Sequence, residues 1–393
     1  MLQSLKKYQR LFKSFFKAKW VWRSPSKCDV LIYDLEGSEY VKKLFNENVS
    51  IAVMPIRGES YNIKALIKSF RIIGLYKTDV RLPYIISYIK FSKPKLIITF
   101  IDNSRLFYTI FSLVPSTKTA LIQNGLRDEV GIDFFESIKL NDIWRVDYMF
   151  LFGRELGKIY SKFIEGEVVP VGSIKNNMVP KPKSSKKLNF TKKVAFISQW
   201  RPKALDGSFI KIRNSHISHE LFYYSESVAL SFLNEWCQEN GYEFAIIGCA
   251  RGRHDSEQEK MFYKQIIKSE FSFLPSDKML GAYDQLTRFN IICSIDSTLG
   301  FESLARGIKT AIFSTRGSSI DGCYSFGWPG CYGDSGPFWT NKAEYTEFKK
   351  ILDYLRDISD VDWENVCSDF MKNIMLYDPG NKIIKEHLCQ IIE

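Results

Sequence analysis

The sequence is poor in the residues from which metal and disulfide sites are built. It holds four histidines in 393 residues, and only His216 and His219 stand close together. A lone i, i+3 pair is surface decoration more often than a ligand set. Its eight cysteines are scattered at 28, 237, 249, 293, 323, 331, 367 and 389, without a C-x-x-C pair. Cys249 and Cys293 fall in apolar, strand-like runs, a pattern of reduced buried thiols in a cytoplasm rather than of disulfides or zinc. No apolar run nears the roughly 20 residues a membrane-spanning helix needs. Lysines break the apolar residues of the N-terminus throughout, so no signal peptide is expected. Internal repeats and low-complexity tracts are also missing, which excludes solenoids and fibrous chains.

Acid is missing before Asp29. That stretch carries Lys6, Lys7, Arg10, Lys13, Lys17, Lys19, Arg23 and Lys27 towards a formal charge of +11, with Leu5, Phe12, Phe15, Phe16, Trp20 and Trp22 interleaved. Leu5, Tyr8, Phe12, Phe15, Phe16 and Lys19 approximate helical spacing. Residues 1–28 therefore read as a basic amphipathic segment with two readings open. It lies through residues 1–27 on the anionic inner face of a membrane, or it packs on the fold with solvated lysines. Nucleic acid is not an expected partner, because no helix-turn-helix spacing, zinc knuckle or RNP-like aromatic motif accompanies the charge.

What is present is ordinary for two globular domains: 45% apolar and 25% charged residues over a length too great for one core. Strand-like runs at Val30–Tyr33, Ser50–Met54, Leu96–Phe100, Thr119–Ile122, Tyr148–Phe152 and Val168–Val171 alternate with helical stretches. This predicts a doubly wound α/β domain over 29–175. Residues 176–190 hold two prolines, serines and four lysines and read as an exposed linker, with Gly172–Asn177 as a candidate hinge. A second α/β unit over 191–360 restarts at Val194–Ser198 and continues through Phe244–Ile247, Phe289–Cys293 and Thr310–Ser314, separated by helices at 225–240 and 256–269. A helix at 342–357 closes it, and 361–393 form a helical tail.

The most informative segment is Ser294-Ile-Asp-Ser-Thr-Leu-Gly-Phe-Glu-Ser-Leu-Ala-Arg-Gly307. It reads as strand, polar turn, helix. Ser297 and Thr298 fall where a helix begins, so hydroxyls and free backbone N–H groups converge at a positive dipole end suited to phosphate. Glu302 lies one turn further on the same face, placed to accept from a ribose. The bland alternative is an ordinary N-cap with a solvated Glu. A second glycine-bearing turn, Gly248-Cys-Ala-Arg-Gly-Arg-His254, offers Gly248 and Arg251 to a nucleotide phosphate and His254 to a sugar carboxylate; a solvated loop is the competing reading. Phe326-Gly-Trp-Pro and Gly336-Pro-Phe-Trp are aromatic loops able to stack on a ring, although capping a sheet end is their default.

Tyr283-Asp-Gln-Leu, Cys293 to Gly307, Phe326-Gly-Trp-Pro, Gly336-Pro-Phe-Trp-Thr340 and Ile122-Gln-Asn-Gly-Leu-Arg127 resemble motifs of bacterial surface-carbohydrate (O-antigen and capsule) biosynthesis proteins with the GT-B architecture. That architecture is two Rossmann-like domains, an interdomain cleft and a C-terminal helical tail. The resemblance extends to retaining β-Kdo transferases, and it implies a CMP-activated 3-deoxy-ulosonic acid as donor and a lipid- or glycan-linked acceptor. It further implies a cytoplasmic enzyme, peripheral on the inner membrane if the N-terminal segment binds there, with no metal or other cofactor. Asp321 and Asp334 have no metal-ligand spacing.

Retaining transfer by double displacement needs a carboxylate nucleophile and an acid/base group. Asp206 follows the first strand of the second unit, and Asp128 and Glu129 follow a strand of the first. Asp206 is the expected nucleophile and Glu129 the acid/base, with Asp128 as its alternative. Arg127, Arg201 and Lys203 offset the donor carboxylate and keep a nearby Asp ionised. Singly, each acid is as well explained by a turn or a helix N-terminus. Two other readings stand beside this one. One is a GT-B relative using a UDP- or ADP-sugar or a CDP-polyol, as transferase or epimerase; the other is a non-catalytic sugar-nucleotide-binding subunit.

Overall fold

The computed structural model describes residues 18–72, 79, 81–126, 144–182, 192–202, 209–212, 215–276, 280–318, 320, 326 and 332–393. The first half comprises β1 (Lys19–Val21), β2 (Val30–Tyr33), α1 (Ser38–Lys42), β3 (Ile51–Met54), β4 (Ser60–Asn62), α2 (Ile63–Phe70), α3 (Leu82–Ser92), β5 (Leu96–Thr99), α4 (Arg105–Tyr108), α5 (Ile110–Leu113), β6 (Lys118–Ile122), β7 (Trp144–Leu151), α6 (Arg154–Tyr160) and β8 (Ile164–Pro170). The second comprises β9 (Lys193–Ile197), β10 (Phe209–Ile212), β11 (Ser215–Ser218), α7 (His219–Asn240), β12 (Glu243–Ile247), α8 (Arg253–Ile266), β13 (Ser272–Leu274), α9 (Gly281–Gln285), β14 (Ile291–Ser294), α10 (Thr298–Ala305), β15 (Thr310–Phe313), β16 (Trp339–Thr340) and α11 (Tyr345–Asp357). Helices α12 (Asp360–Ile374) and α13 (Lys382–Ile392) follow.

Each half holds one six-stranded sheet, parallel throughout, in the orders β3-β2-β5-β6-β7-β8 and β13-β12-β9-β14-β15-β16. Parallel sheets are covered on both faces, so their strands are apolar without a break. The two-residue period then deals side chains to opposite cores. Leu31 and Tyr33 of β2 enter one cluster and Val30 and Ile32 the other, while Val194 and Phe196 of β9 part from Ala195 and Ile197 in the same way. The strand order reverses between β9 and β14 in the second sheet and between β2 and β5 in the first. Open α/β sheets bind ligands outside the carboxyl ends at such switch points.

The chain crosses between the halves twice. After β8, Asn176–Met178 form a short 3-10 turn in which Asn176 and Asn177 are buried. The start of the expected exposed linker is thus packed. Asn177 Nδ2 donates to Val171 O and Asn381 Oδ1 (2.8 and 3.0 Å), and its Oδ1 accepts from Asp378 N. Gly172 adopts φ +73°, and a Cβ there would meet the Leu376 carbonyl at 2.1 Å, so this crossing depends on glycine. The return crossing runs through α12, which contacts α10 in the second half and α6 in the first. It ends in α13, whose Ile384, Leu388 and Ile392 join Val30, Ile32 and Leu96 in a core of the first half.

Residues 1–17 lie outside the described residues. Within the described part of the basic N-terminal segment, residues 18–28, Lys19–Val21 is extended: it pairs in parallel with β4, and so does not continue a helix to Lys19.

Candidate functional site

A cavity of about 910 Å³ opens between the halves at the second sheet's switch point. Its walls are the turn after β9 (Ser198), the turn after β12 and start of α8 (Gly248, Cys249, Arg251, Gly252, Arg253, Ser256), the start of α10 (Ser297, Leu299), Tyr283 of α9, and Glu39, Tyr40 and Lys175 from the first-half side. Ser297 caps α10, its hydroxyl accepting from Leu299 N. The N-termini of α8 and α10 thus both turn a positive dipole end towards one space. Lys175, Arg251 and Arg253 add three cations, against the carboxylates of Glu39 and Glu257.

The β12–α8 turn is held from below. Glu259, fully buried in α8, accepts from Cys249 N (2.9 Å) and Ala250 N (3.0 Å) and from Ser198 Oγ. A Cβ on Gly248 would come within 2.8 Å of the Phe273 ring and 3.0 Å of Glu259 Oε2, so the turn approaches β13 and α8 only because this position lacks a side chain. Cys249 is exposed at the turn rather than buried in the strand, since β12 ends two residues earlier. The residue is exposed but its Sγ points inward and donates to Trp200 O, and desolvation of the sulfur there, with the Glu259 charge, pushes its thiol up to about 12, which favours the protonated form.

Behind these turns lies a buried charge cluster. Arg316 donates through Nε to Asp296 Oδ2 (2.9 Å) and through Nη1 to Phe222 O (2.6 Å), with its guanidinium 3.8 Å from the Phe222 ring centre. Glu226 of α7 stands 3.9 Å from Arg316. Its Oε1 lies 2.5 Å from Tyr263 Oη, and its Oε2, the atom facing Arg316, has no hydrogen-bond partner among the described residues. Desolvation outweighs Arg316 and pushes its pKa up to about 7. Tyr263 Oη also reaches Ser198 Oγ at 2.8 Å. Glu226, Tyr263, Ser198 and Glu259 therefore form one chain leading to the cavity wall.

The other wall is tied across the halves. Thr298 Oγ1 accepts from Leu126 N at 3.1 Å, which brings the Gln123-Asn-Gly-Leu126 loop to the start of α10. Glu302 is buried one layer beneath the cavity: it accepts from Ser173 Oγ and from Tyr283 Oη (3.0 Å), and its main-chain carbonyl accepts from Asn176 Nδ2 (2.9 Å). The bland expectation of a solvated Glu is thereby overturned. The ribose contact expected of Glu302 is met instead by an internal role for Oε1, while Tyr283 in front of it lines the cavity. Desolvation raises the Glu302 pKa, against the opposing charge of Lys175. A longer-range pair, Arg251 Nη1 to Glu36 Oε1 at 3.9 Å, joins the rims.

Of the residues expected at the site, Gly248, Arg251 and Ser297 line the cavity, and Thr298 stands at its edge. Two do not. His254 lies on the exposed face of α8 with its Nε2 3.2 Å from Gln258 Nε2, because one residue of helix past Arg253 turns the side chain outward. Arg201 is exposed and its guanidinium sits 4.9 Å over Phe222, on the α7 side. Arg127, Asp128, Glu129, Lys203 and Asp206 lie outside the described residues. Sequence reasoning missed Glu259, Lys175 and Glu226, and it held Tyr283 only within a motif of the resemblance. A signal existed for two of them: Glu259 shares a helical stripe with buried Ser256, Phe262 and Tyr263, and Glu226 with Phe222, Tyr223, Ala229 and Leu230.

Two parallel doubly wound domains, a cleft at a switch point and a C-terminal helix returning to the first domain define the GT-B architecture. The sequence matches over residues 120–392 the model of a family described as "putative O-antigen biosynthesis protein", and the chain belongs to that family. No curated protein matches it. Among solved structures, UDP-GlcNAc 2-epimerase from Neisseria meningitidis bound to UDP-GlcNAc aligns with TM-score 0.54 and 12% identity, over 92% of this chain and 99% of that one. The S. aureus MnaA–UDP structure aligns with TM-score 0.51 and 10% identity, over 94% and 95%. The wall teichoic acid polymerase TagF with CDPG aligns with TM-score 0.50 and 11% identity, over 94% and 90%. At these identities the likeness concerns the fold.

Proposed function

We propose that the protein is a glycosyltransferase-class enzyme of surface-carbohydrate assembly, with a nucleotide-diphosphate-activated sugar or polyol as donor in the interdomain cavity. One observation carries the reading: two helix N-termini and three cations converge on a space of ligand size at a switch point. The helix starts at Gly252–Arg253 and Ser297–Thr298 receive the two phosphates, and Lys175 and Arg251 neutralise the charge that grows on the leaving nucleotide. The fold-level neighbours, caught with UDP-GlcNAc, UDP and CDPG, support this donor class over CMP. Asp206, Glu129 and Asp128 are the proposed carboxylates for the sugar or acceptor hydroxyl, and Arg127 and Lys203, near them in sequence, are the proposed cations. No metal enters the scheme.

The test is thermal unfolding with UDP, CDP, ADP and CMP, followed by nucleotide release from the matching sugar or polyol donor with a lipid-linked acceptor. A diphosphate should raise the melting temperature and CMP should not, and Lys175→Ala should remove the protection. Protection by CMP alone would restore the ulosonic acid reading. Protection without nucleotide release in the presence of donor and acceptor would make the protein a binding subunit.

A further inference from the structure

We propose that α2 and the β1–β4 ribbon form a docking surface for an anionic lipid bilayer. Trp22, Ile67 and Phe70 are 73%, 56% and 64% exposed, and all three belong to this corner of the first half. β1 runs beside β4 with Val21 opposite Asn62, and Asn62 Nδ2 donates to Arg23 O at 2.7 Å, which fixes Trp22 and Arg23 at the start of α2. Asn62 also caps α2, its side chain accepting from Ala65 N. The helix buries Ala65 and Ser69 and leaves Lys64, Ile67, Phe70 and Arg71 exposed.

The charge on this corner selects the occupant. Residues 60–72 contain Lys64, Lys68 and Arg71 and no acid, and the neighbouring ribbon adds Lys19 and Arg23. The nearest acid in sequence, Glu59, precedes β4 at the end away from α2, where its carboxylate accepts from Arg57 N. The preceding residues 1–17 have the same composition: Lys6, Lys7, Arg10, Lys13 and Lys17 with three phenylalanines and no acid. Two cationic pieces of one chain repel each other and are both drawn to the same anionic plane. An exposed Trp, with apolar residues flanked by cations, matches the headgroup boundary, where the ring sits between hydrocarbon and water. This inference stands on the surface alone and survives a failure of the donor assignment.

Co-sedimentation of the full chain with phosphatidylglycerol-rich and with pure phosphatidylcholine vesicles tests it. The wild type should bind the anionic vesicles, lose that binding with added salt and ignore the neutral ones. Lys64→Glu with Arg71→Glu should weaken binding at least about tenfold, since each cation near the plane counts for roughly fivefold. Ile67→Ser with Phe70→Ser should weaken it even at low salt. Lys349→Glu with Lys350→Glu, on α11, should bind as wild type. Undiminished binding of the Lys64/Arg71 variant, or no wild-type binding, would overturn the proposal. So would a change of oligomeric state in the Ile67/Phe70 variant, which would make the patch a protein interface. Both cations are exposed, so the charge variant keeps the test decisive if the apolar one fails to fold.

Discussion

The two corners of the cavity are built on the same plan and secured in opposite ways. Each has a turn leading into a helix start, with a buried glutamate one or two turns along the helix. Glu259 spends its carboxylate on the Cys249 and Ala250 amides and on Ser198, all in its own half. Glu302 spends its on Ser173 of the first half and on Tyr283, while neighbouring Thr298 accepts from Leu126. The first corner is therefore formed whatever the other half does. The second is complete only when the halves are together. A ligand that touches both corners gains affinity from closure, so binding and interdomain contact are coupled.

The strongest blow to the preformed corner is Arg316→Met. It leaves Asp296 and Glu226 buried without their cation, and loss of one partner of a buried pair costs about 3–5 kcal/mol. Chemical denaturation should show a loss of that size with the m-value unchanged. Next comes pH. Folding raises the Glu226 pKa from 4.5 to about 7, so the native state holds the proton more tightly than the unfolded chain. The resulting stabilisation is complete below the unfolded value and is lost as pH rises through about 7, roughly 3 kcal/mol in all. Glu226→Gln should flatten that part of the stability–pH curve; an unchanged slope would assign it to another group.

Glu259→Ala should cost about 2–3 kcal/mol by stranding two buried amides, and it should abolish nucleotide protection as the turn loses its anchor. Ser173→Ala sharpens the contrast with the smallest effect. It removes one hydrogen bond between the halves, so nucleotide affinity in calorimetry should fall severalfold, on the order of 1 kcal/mol, with melting nearly unchanged. Equal losses of stability in the two variants would erase the distinction between the corners.

The sheets were legible where strands are continuous apolar runs: Val30–Tyr33 and Thr310–Phe313 stand out because both faces of a parallel strand are buried. The edge strands Ser272–Leu274 and Trp339–Thr340 are too short to show a period, and the Phe209–Ser218 hairpin lies off both sheets. Helix α3, Leu82–Ser92, escaped because it is buried nearly all round and lacks a polar stripe. At the site, Ser297 and Gly248 could be read from turn chemistry. Lys175 and the buried inward turn of Glu302 onto Ser173 could not, since they depend on how one half sits against the other.

The return of α13 to the first half has a consequence for synthesis. Ile384, Leu388 and Ile392 complete a core whose other members, Val30, Ile32 and Leu96, leave the ribosome hundreds of residues earlier. The half that is made first is thus finished last. Until α13 emerges, part of one face of its sheet is apolar surface covered only by α1 and the turn after it, through Tyr40, Val41 and Leu44, and the nascent chain has to be kept from its neighbours for as long as the second half takes to be made.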